Sequence, residues 1–245
     1  MTSRTTPRAL AGAGGAFFLS LALSSAALAA AEPAKPAQKT FPSAKAAADA
    51  LVSAAEKFDV TKDVEVCGKE KTRPDLRVGP DGGIQDVAIV VKASKGKALA
   101  VPAQPFAFDQ KGCEYSPHVL AFPAGSTVQV LNPDGVLHNV HVMGKANPEA
   151  NRAMPRFQKK IDWKVEKPEW PVAVKCDAHP WMHAYWLSMD QPYYAVTTAG
   201  GKFSIADLLP GDYEVEVWHP TLGKKVEKVT IKPKETTTVD WSMAK

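Results

Sequence analysis

The sequence predicts an all-β protein with one short helix near its start, and three observations predict it. From Asp59 onward, short β-branched and aromatic runs are separated by Gly, Pro, Asn and Asp, the pattern of a sandwich or barrel. No helical stretch separates those runs, so parallel crossover units are not expected. Ahead of them, residues 44–58 are rich in strong helix formers, begin after Ser43 as a cap, and place Leu51, Ala54, Ala55 and Phe58 on one face.

The chain begins with Arg4 and Arg8, continues through an apolar stretch from Ala9 to Leu28, and reaches the small-x-small run Ala27-Leu28-Ala29. This predicts a signal peptide over 1–29 and an exported, periplasmic or secreted protein. The apolar core is short and Ser24-Ser25 follows it, so a stable membrane span is not expected after cleavage. Residues 30–43 are Ala, Pro and Lys, a composition that reads as a linker. Residues 59–106 supply N-terminal β strands, 107–190 a β domain, and 191–245 a further β module.

Candidate strands are Val87–Val91, Val119–Phe122, Thr127–Leu131, Asn139–Val142, Val172–Lys175, Ala184–Leu187, Tyr194–Thr197, Lys202–Ile205, Tyr213–Trp218 and Lys228–Ile231. Between Gly144 and Pro171 the chain is polar and broken by prolines, which predicts an excursion from the sandwich. The formal charge of +4 falls to about +2 once Arg4 and Arg8 are removed, and neither sign forms a block. The C-terminal lysines (Lys224, Lys225, Lys228, Lys232, Lys234) alternate with acids and threonines, as on a solvated strand edge. A nucleic-acid partner is not expected.

The strongest chemical signal is Cys176-Asp177-Ala178-His179-Pro180-Trp181-Met182, between two predicted strands. A thiolate, an imidazole and a thioether lie within seven residues, and a loop closing a hairpin can bring them to one point. His138 opens a strand just after the turn Asn132-Pro133-Asp134-Gly135, which places it at the same end. Two imidazoles, one thiolate and a weak thioether suit copper in an electron-transfer site, whereas zinc does not usually take a methionine. Each of these residues alone would read as core filler or a loop residue; their combination points to a metal.

With their neighbours, these residues resemble the cupredoxins, the blue-copper proteins. Tyr115-Ser116-Pro117, Ala124-Gly125-Ser126-Thr127-Val128, Asn132-Pro133-Asp134, His138-Asn139-Val140 and the Cys176–Met182 loop fall in the family's order, and the short Cys-x2-His-x2-Met loop looks most like that of amicyanin. The resemblance covers about Ala107 to Met189. It implies a Greek-key β-sandwich with one type 1 copper held by His138, Cys176, His179 and Met182, and Asn139 tying down the ligand loop. It also implies an electron carrier without catalytic residues, cycling Cu(II)/Cu(I) with an unidentified redox partner protein, and the ring edge of His179 as the exit. Residues 191–245 are similar to carboxypeptidase regulatory-like, transthyretin-like modules, small β-sandwiches in which Lys202–Ile205 and Tyr213–Trp218 would form a hairpin; Ile84 to Ala100 can supply partner strands.

Cys67 and Cys113 both adjoin glycines, and a disulfide tying the N-terminal segment to the sandwich accounts for both. The alternative places one of them with Cys176 in a thiolate-rich site. His141 lies at an odd offset from His138 on a strand, so it should point away from the metal. A second site using His118 and His141 competes there with two ordinary polar residues. His183 is expected near the exposed rim, Trp181 as a solvent shield or docking residue, and His219 at the surface. Rival functions are periplasmic copper storage or delivery, a type 2 copper enzyme that leaves Met182 unbound, and docking through the C-terminal module. No Ser/His/Asp set, phosphate loop or paired carboxylate supports another chemistry.

Overall fold

A computed structural model describes residues 56–93 and 96–243. The described residues all belong to one compact unit. The signal peptide, the linker and most of the predicted helix lie outside the described residues. The last two residues of that helix, Lys57 and Phe58, belong instead to strand β1 (Lys57–Asp59), which pairs with β2 (Glu70–Thr72). Between these two strands runs α1 (Val64–Cys67), a single turn.

The remaining strands are β3 (Ala88–Lys92), β4 (Phe106–Asp109), β5 (Val119–Pro123), β6 (Thr127–Leu131), β7 (His138–Val142), β8 (Ala150–Met154) and β9 (Lys160–Lys164), followed by β10 (Glu169–Lys175), β11 (His183–Met189), β12 (Tyr194–Val196), β13 (Gly211–His219) and β14 (Gly223–Ile231). They form a five-stranded sheet ordered β5-β11-β10-β7-β8, a three-stranded sheet β4-β6-β9 and a four-stranded sheet β12-β3-β13-β14. The fold is all-β, and α1 is the one helix among the described residues.

Period-two side chains explain how two of these strands serve two cores. On β11, Ala184 and Trp186 enter the core shared by the five- and three-stranded sheets, while Leu187 and Met189 face a second cluster. On β3, Ile89 and Val91 face the C-terminal module, while Ala88 and Val90 meet Leu187, Met189 and Trp218. Both strands are therefore buried on both faces, which alternation across a strand permits only for near-continuous apolar runs. In the main core Trp186 is held edge-on by Phe108, Phe122 and Trp163, with ring centroids 5.3, 6.0 and 5.8 Å away.

Two expectations change. The stretch from Gly144 to Pro171 is no excursion: β8 pairs with β7 and β9 pairs with β6, so it supplies an edge strand to each face of this sandwich. These strands escape the sequence pattern because they are mostly polar and exposed, with Met154 and Trp163 as their buried positions. In the C-terminal module, Lys202–Ile205 is not a strand and forms no hairpin with β13. Both edges of β13 are taken, by β14 and by β3, and Phe203 and Ile205 contribute only side chains to the module's core. The partner strand expected within Ile84 to Ala100 is β3.

Candidate metal centre

The centre is assembled where the β10–β11 connection meets the start of β7. Cys176 follows β10 and His179 and Met182 precede β11, in a loop closed by its own backbone: Cys176 N–H donates to the Met182 carbonyl (3.1 Å), and Met182 N–H to the His179 carbonyl (2.9 Å). His138 opens β7, which pairs with β10 through Val142–Val174 and His141–Lys175, so strand register alone brings His138 to this end. Cys176, His138, His179 and Met182 are all buried.

Asn139 holds the loop to β7. Its Oδ1 accepts the backbone N–H groups of Asp177 (2.7 Å) and Ala178 (3.0 Å), and its amide donates to Asn151 Oδ1 (2.7 Å) and Asp177 Oδ2 (3.2 Å). The Cys176 thiol donates to the same Asn139 Oδ1 at 3.4 Å. Tyr115 braces the two strands beneath, donating its hydroxyl to the carbonyls of Asn139 (2.6 Å) and Lys175 (3.0 Å).

Two carboxylates that the sequence reading missed fix both imidazoles. His138 Nε2 lies 3.0 Å from Asp134 Oδ2, and His179 Nε2 lies 2.9 Å from Asp63 Oδ2. An ionised carboxylate only accepts, so both Nε2 atoms carry the proton and both Nδ1 atoms present lone pairs. Those Nδ1 atoms face each other at 3.0 Å, and His179 Nδ1 lies 3.9 Å from Cys176 Sγ. Two ring nitrogens this close in a buried site share a cation between them, a single proton or a metal ion. The three donor atoms all lie within 4.8 Å of one another, and donors bound to one ion at about 2.0–2.3 Å sit roughly 3–4 Å apart. The residues therefore fit a metal bound through two Nδ1 atoms and one sulfur, with Met182 the remaining donor on the loop.

Burial pushes the Cys176 thiol above its ordinary value, against backbone hydrogen bonds that favour the thiolate. The sulfur is thus protonated until a metal displaces the proton. Burial lowers the pKa of His179, opposed by its bond to Asp63, and keeps the imidazole neutral and ready to bind.

Cys67 and Cys113 are joined in a disulfide, so neither offers a thiolate to Cys176. The bridge fastens the β1–α1–β2 segment over the ligand loop, where Phe58 packs on Trp181 (ring centroids 6.1 Å) and Lys62 Nζ donates to the Ala178 carbonyl (3.2 Å). With Asp63 on its Nε2, the ring edge of His179 is covered rather than open, unlike the exit the resemblance implied. Trp181 itself lies 5.1 Å edge-on to His179 and donates Nε1–H to the Cys113 carbonyl.

The other histidines do not join the centre. His141 reaches outward to Glu149 (2.8 Å) and Asp177 (3.3 Å), and buried His118 places Nδ1 against the His183 carbonyl (3.1 Å). They therefore form no shared site. His183 is half-buried and bonded to Asp75 (2.9 Å). His219, expected at the surface, is buried; its Nδ1 accepts the N–H groups of Thr221 and Leu222 in the turn after β13.

The family model described as polysaccharide lyase family 4, domain II, matches residues 170–239, spanning the ligand loop and most of the C-terminal module. It names a different domain from the carboxypeptidase regulatory-like module expected there. No curated protein sequence matches the chain. Among solved structures, amicyanin from Paracoccus versutus is 21% identical over 41% of this chain and 97% of its own, with a TM-score of 0.32. A Cu(I) amicyanin variant is 19% identical over 41% and 98%, also with a TM-score of 0.32. A copper-containing nitrite reductase from Thermus scotoductus SA-01 is 21% identical over 39% of this chain, with a TM-score of 0.31, and this chain spans a quarter of its length. No helix among the described residues is long and apolar enough to cross a membrane.

Proposed function

We propose that this chain is an exported type 1 copper protein that carries electrons in the periplasm, with one copper held by His138, Cys176, His179 and Met182. The observation that carries this reading is the pair of Nδ1 lone pairs facing each other at 3.0 Å beside a buried thiol, each imidazole fixed from behind by a carboxylate. Copper, when bound, supplies a one-electron couple between Cu(II) and Cu(I).

The protein's own residues do the rest. Asp63 and Asp134 lock both rings in the tautomer that offers Nδ1, which strengthens them as donors. Asn139 holds the loop so that Cys176 and His179 need not move between oxidation states. The hydrophobic core around Cys176 and Met182 excludes water. Four protein donors leave no position for a substrate, so the chain acts as a carrier and not as an enzyme.

The test is the visible and EPR spectrum of mature protein titrated with Cu(II), beside Cys176→Ser. An intense thiolate-to-copper band with narrow hyperfine splitting, lost in the variant, is expected. A pale spectrum with wide splitting sinks the type 1 assignment.

The covering of His179 by Asp63 favours a second reading, copper storage or delivery, because a closed site suits retention. Transfer of copper to a chelating acceptor faster than electron exchange would select it.

A further inference from the structure

At the covered side of the centre, Asp63 occupies His179 Nε2, Lys62 covers Ala178 and Phe58 covers Trp181, all on a segment clipped in place by the Cys67–Cys113 disulfide. A partner approaching His179 meets this segment, where Asp59, Asp63 and Glu65 alternate with Lys57, Lys62 and Lys69 and no charge of one sign prevails.

The His138 side is different. His138 stands opposite Met154 in the β7–β8 ladder, so Leu137 borders the turn that follows β8. That turn is closed by Gln158 N–H donating to the Pro155 carbonyl (2.7 Å) and carries Phe157 at its tip. Asn132 stitches the two loops together: its amide donates to the Val136 and Met154 carbonyls, both at 3.0 Å, and its N–H to the Lys159 carbonyl at 2.9 Å. Two large apolar side chains are left in solvent on these neighbouring loops, Leu137 at 47% and Phe157 at 79% exposure. Isolated exposed apolar residues are ordinary, but two on adjoining loops at a metal centre are a contact surface.

The unpaired charge on these loops is mainly basic. Arg156 and Lys159 lie on the turn after β8 and Lys160 opens β9, with Lys159 Nζ close to Gly135. Lys111 lies on the turn whose Gly112 and Cys113 N–H groups bind Asp134. All four cations are exposed and without an ion-pair partner among the described residues. Of the nearby acids, Glu114 pairs with Lys71 and Asp134 turns inward to His138, while Asp109 and Asp162 accept from the uncharged Gln110 N–H and Gln129 amide and keep their charge.

Resting on the electron-carrier reading, we propose that electrons enter and leave on the His138 side, through the Leu137–Phe157 patch, and that the partner docking there is an acidic redox protein. Apolar contact at the centre and opposite charge at the rim are the usual division of labour in a transient interface.

The test uses the copper-loaded full chain and a reduced, acidic plant-type ferredoxin as probe; the ferredoxin cluster is oxidised by one electron as Cu(II) becomes Cu(I). Stopped-flow bleaching of the blue band is followed for wild type, F157A, the pair R156E and K159E, and E65K on the covered side. The patch variants are expected to slow the reaction about tenfold at low salt, rising salt to slow the wild type, and E65K to stay within about twofold. Rates unchanged in the patch variants, or accelerated only by E65K, overturn the exit. Co-sedimentation with phosphatidylglycerol vesicles that F157A abolishes, with ferredoxin rates unaltered, also overturns it, in favour of a membrane surface. Absence of the blue band overturns the copper reading itself, whereas a blue band with insensitive rates overturns only the docking face.

Discussion

Replacing Asn139 by Ala isolates what the loop anchor contributes. Its side chain accepts two backbone N–H groups, from Asp177 at 2.7 Å and Ala178 at 3.0 Å, and donates to Asn151 and Asp177. A buried donor left without a partner costs about 1–3 kcal/mol. Asp177 is exposed and water can reach part of the vacated site, so the low end applies to both amides. The expected loss is about 2–3 kcal/mol of copper-free stability. Urea unfolding at pH 7 measures it as a lower midpoint at unchanged slope. Adding Asp177→Ala should then cost less than it does alone, because the two side chains share a hydrogen bond and their effects are coupled. A loss below about 0.5 kcal/mol, or full additivity of the pair, would refute the anchoring role.

Three further outcomes are expected. Burial holds His219 and His118 neutral, each lowered to about 4. The unfolded chain then binds more protons between roughly pH 6.5 and 4, so stability is fully present above pH 6.5 and falls as acid is added through that window; His219→Asn in the Cys176→Ser background should flatten the slope of urea stability against pH. Serine at both Cys67 and Cys113 opens a link spanning 46 residues and should cost about 4 kcal/mol by loop-closure entropy in the unfolded chain, read as a lower urea midpoint; an unchanged midpoint would refute it. Asp63→Asn removes a carboxylate from His179 Nε2 and should weaken copper about tenfold and raise the reduction potential, measured by chelator competition and voltammetry.

Much of the half that carries the candidate centre was legible because its signals are local. The Cys176–Met182 loop packs three donor types into one connection, and the turn before β7 points to His138. The C-terminal strands β13 and β14 show alternation that survives in the burial pattern. The missed features are non-local. Asp63 lies more than a hundred residues before His179 and reaches it through a segment anchored by a disulfide, so no spacing rule connects the two. Asp134 stood in view, four residues before His138, but its role as the Nε2 acceptor depends on how the turn folds over β7. β8 and β9 were hidden because an edge strand with one buried position has little hydrophobic period to detect. His219 misled for the opposite reason: a polar residue before a proline suggests surface, yet its ring is buried to accept the two amides of the next turn.

The carboxylates behind the imidazoles link affinity to access. A hydrogen bond from Nε2–H to a carboxylate makes the ring a better donor and stabilises Cu(II), the more highly charged state, over Cu(I). The same bond occupies the edge through which a ring exchanges electrons with a partner. On His179 that carboxylate arrives on a covalently fastened segment, with Phe58 and Lys62 closing over the loop. On His138 it comes from the turn just before β7, which is closed by no disulfide. A carrier needs one side open to a partner, and on the His138 side the carboxylate comes from an adjoining turn rather than from a disulfide-fastened segment. If both sides were closed to a protein partner, the chemistry of this donor set would favour holding copper over passing electrons. The relative rates of electron exchange and copper release therefore decide between the two readings, and releasing the segment by reducing the Cys67–Cys113 bridge should raise both.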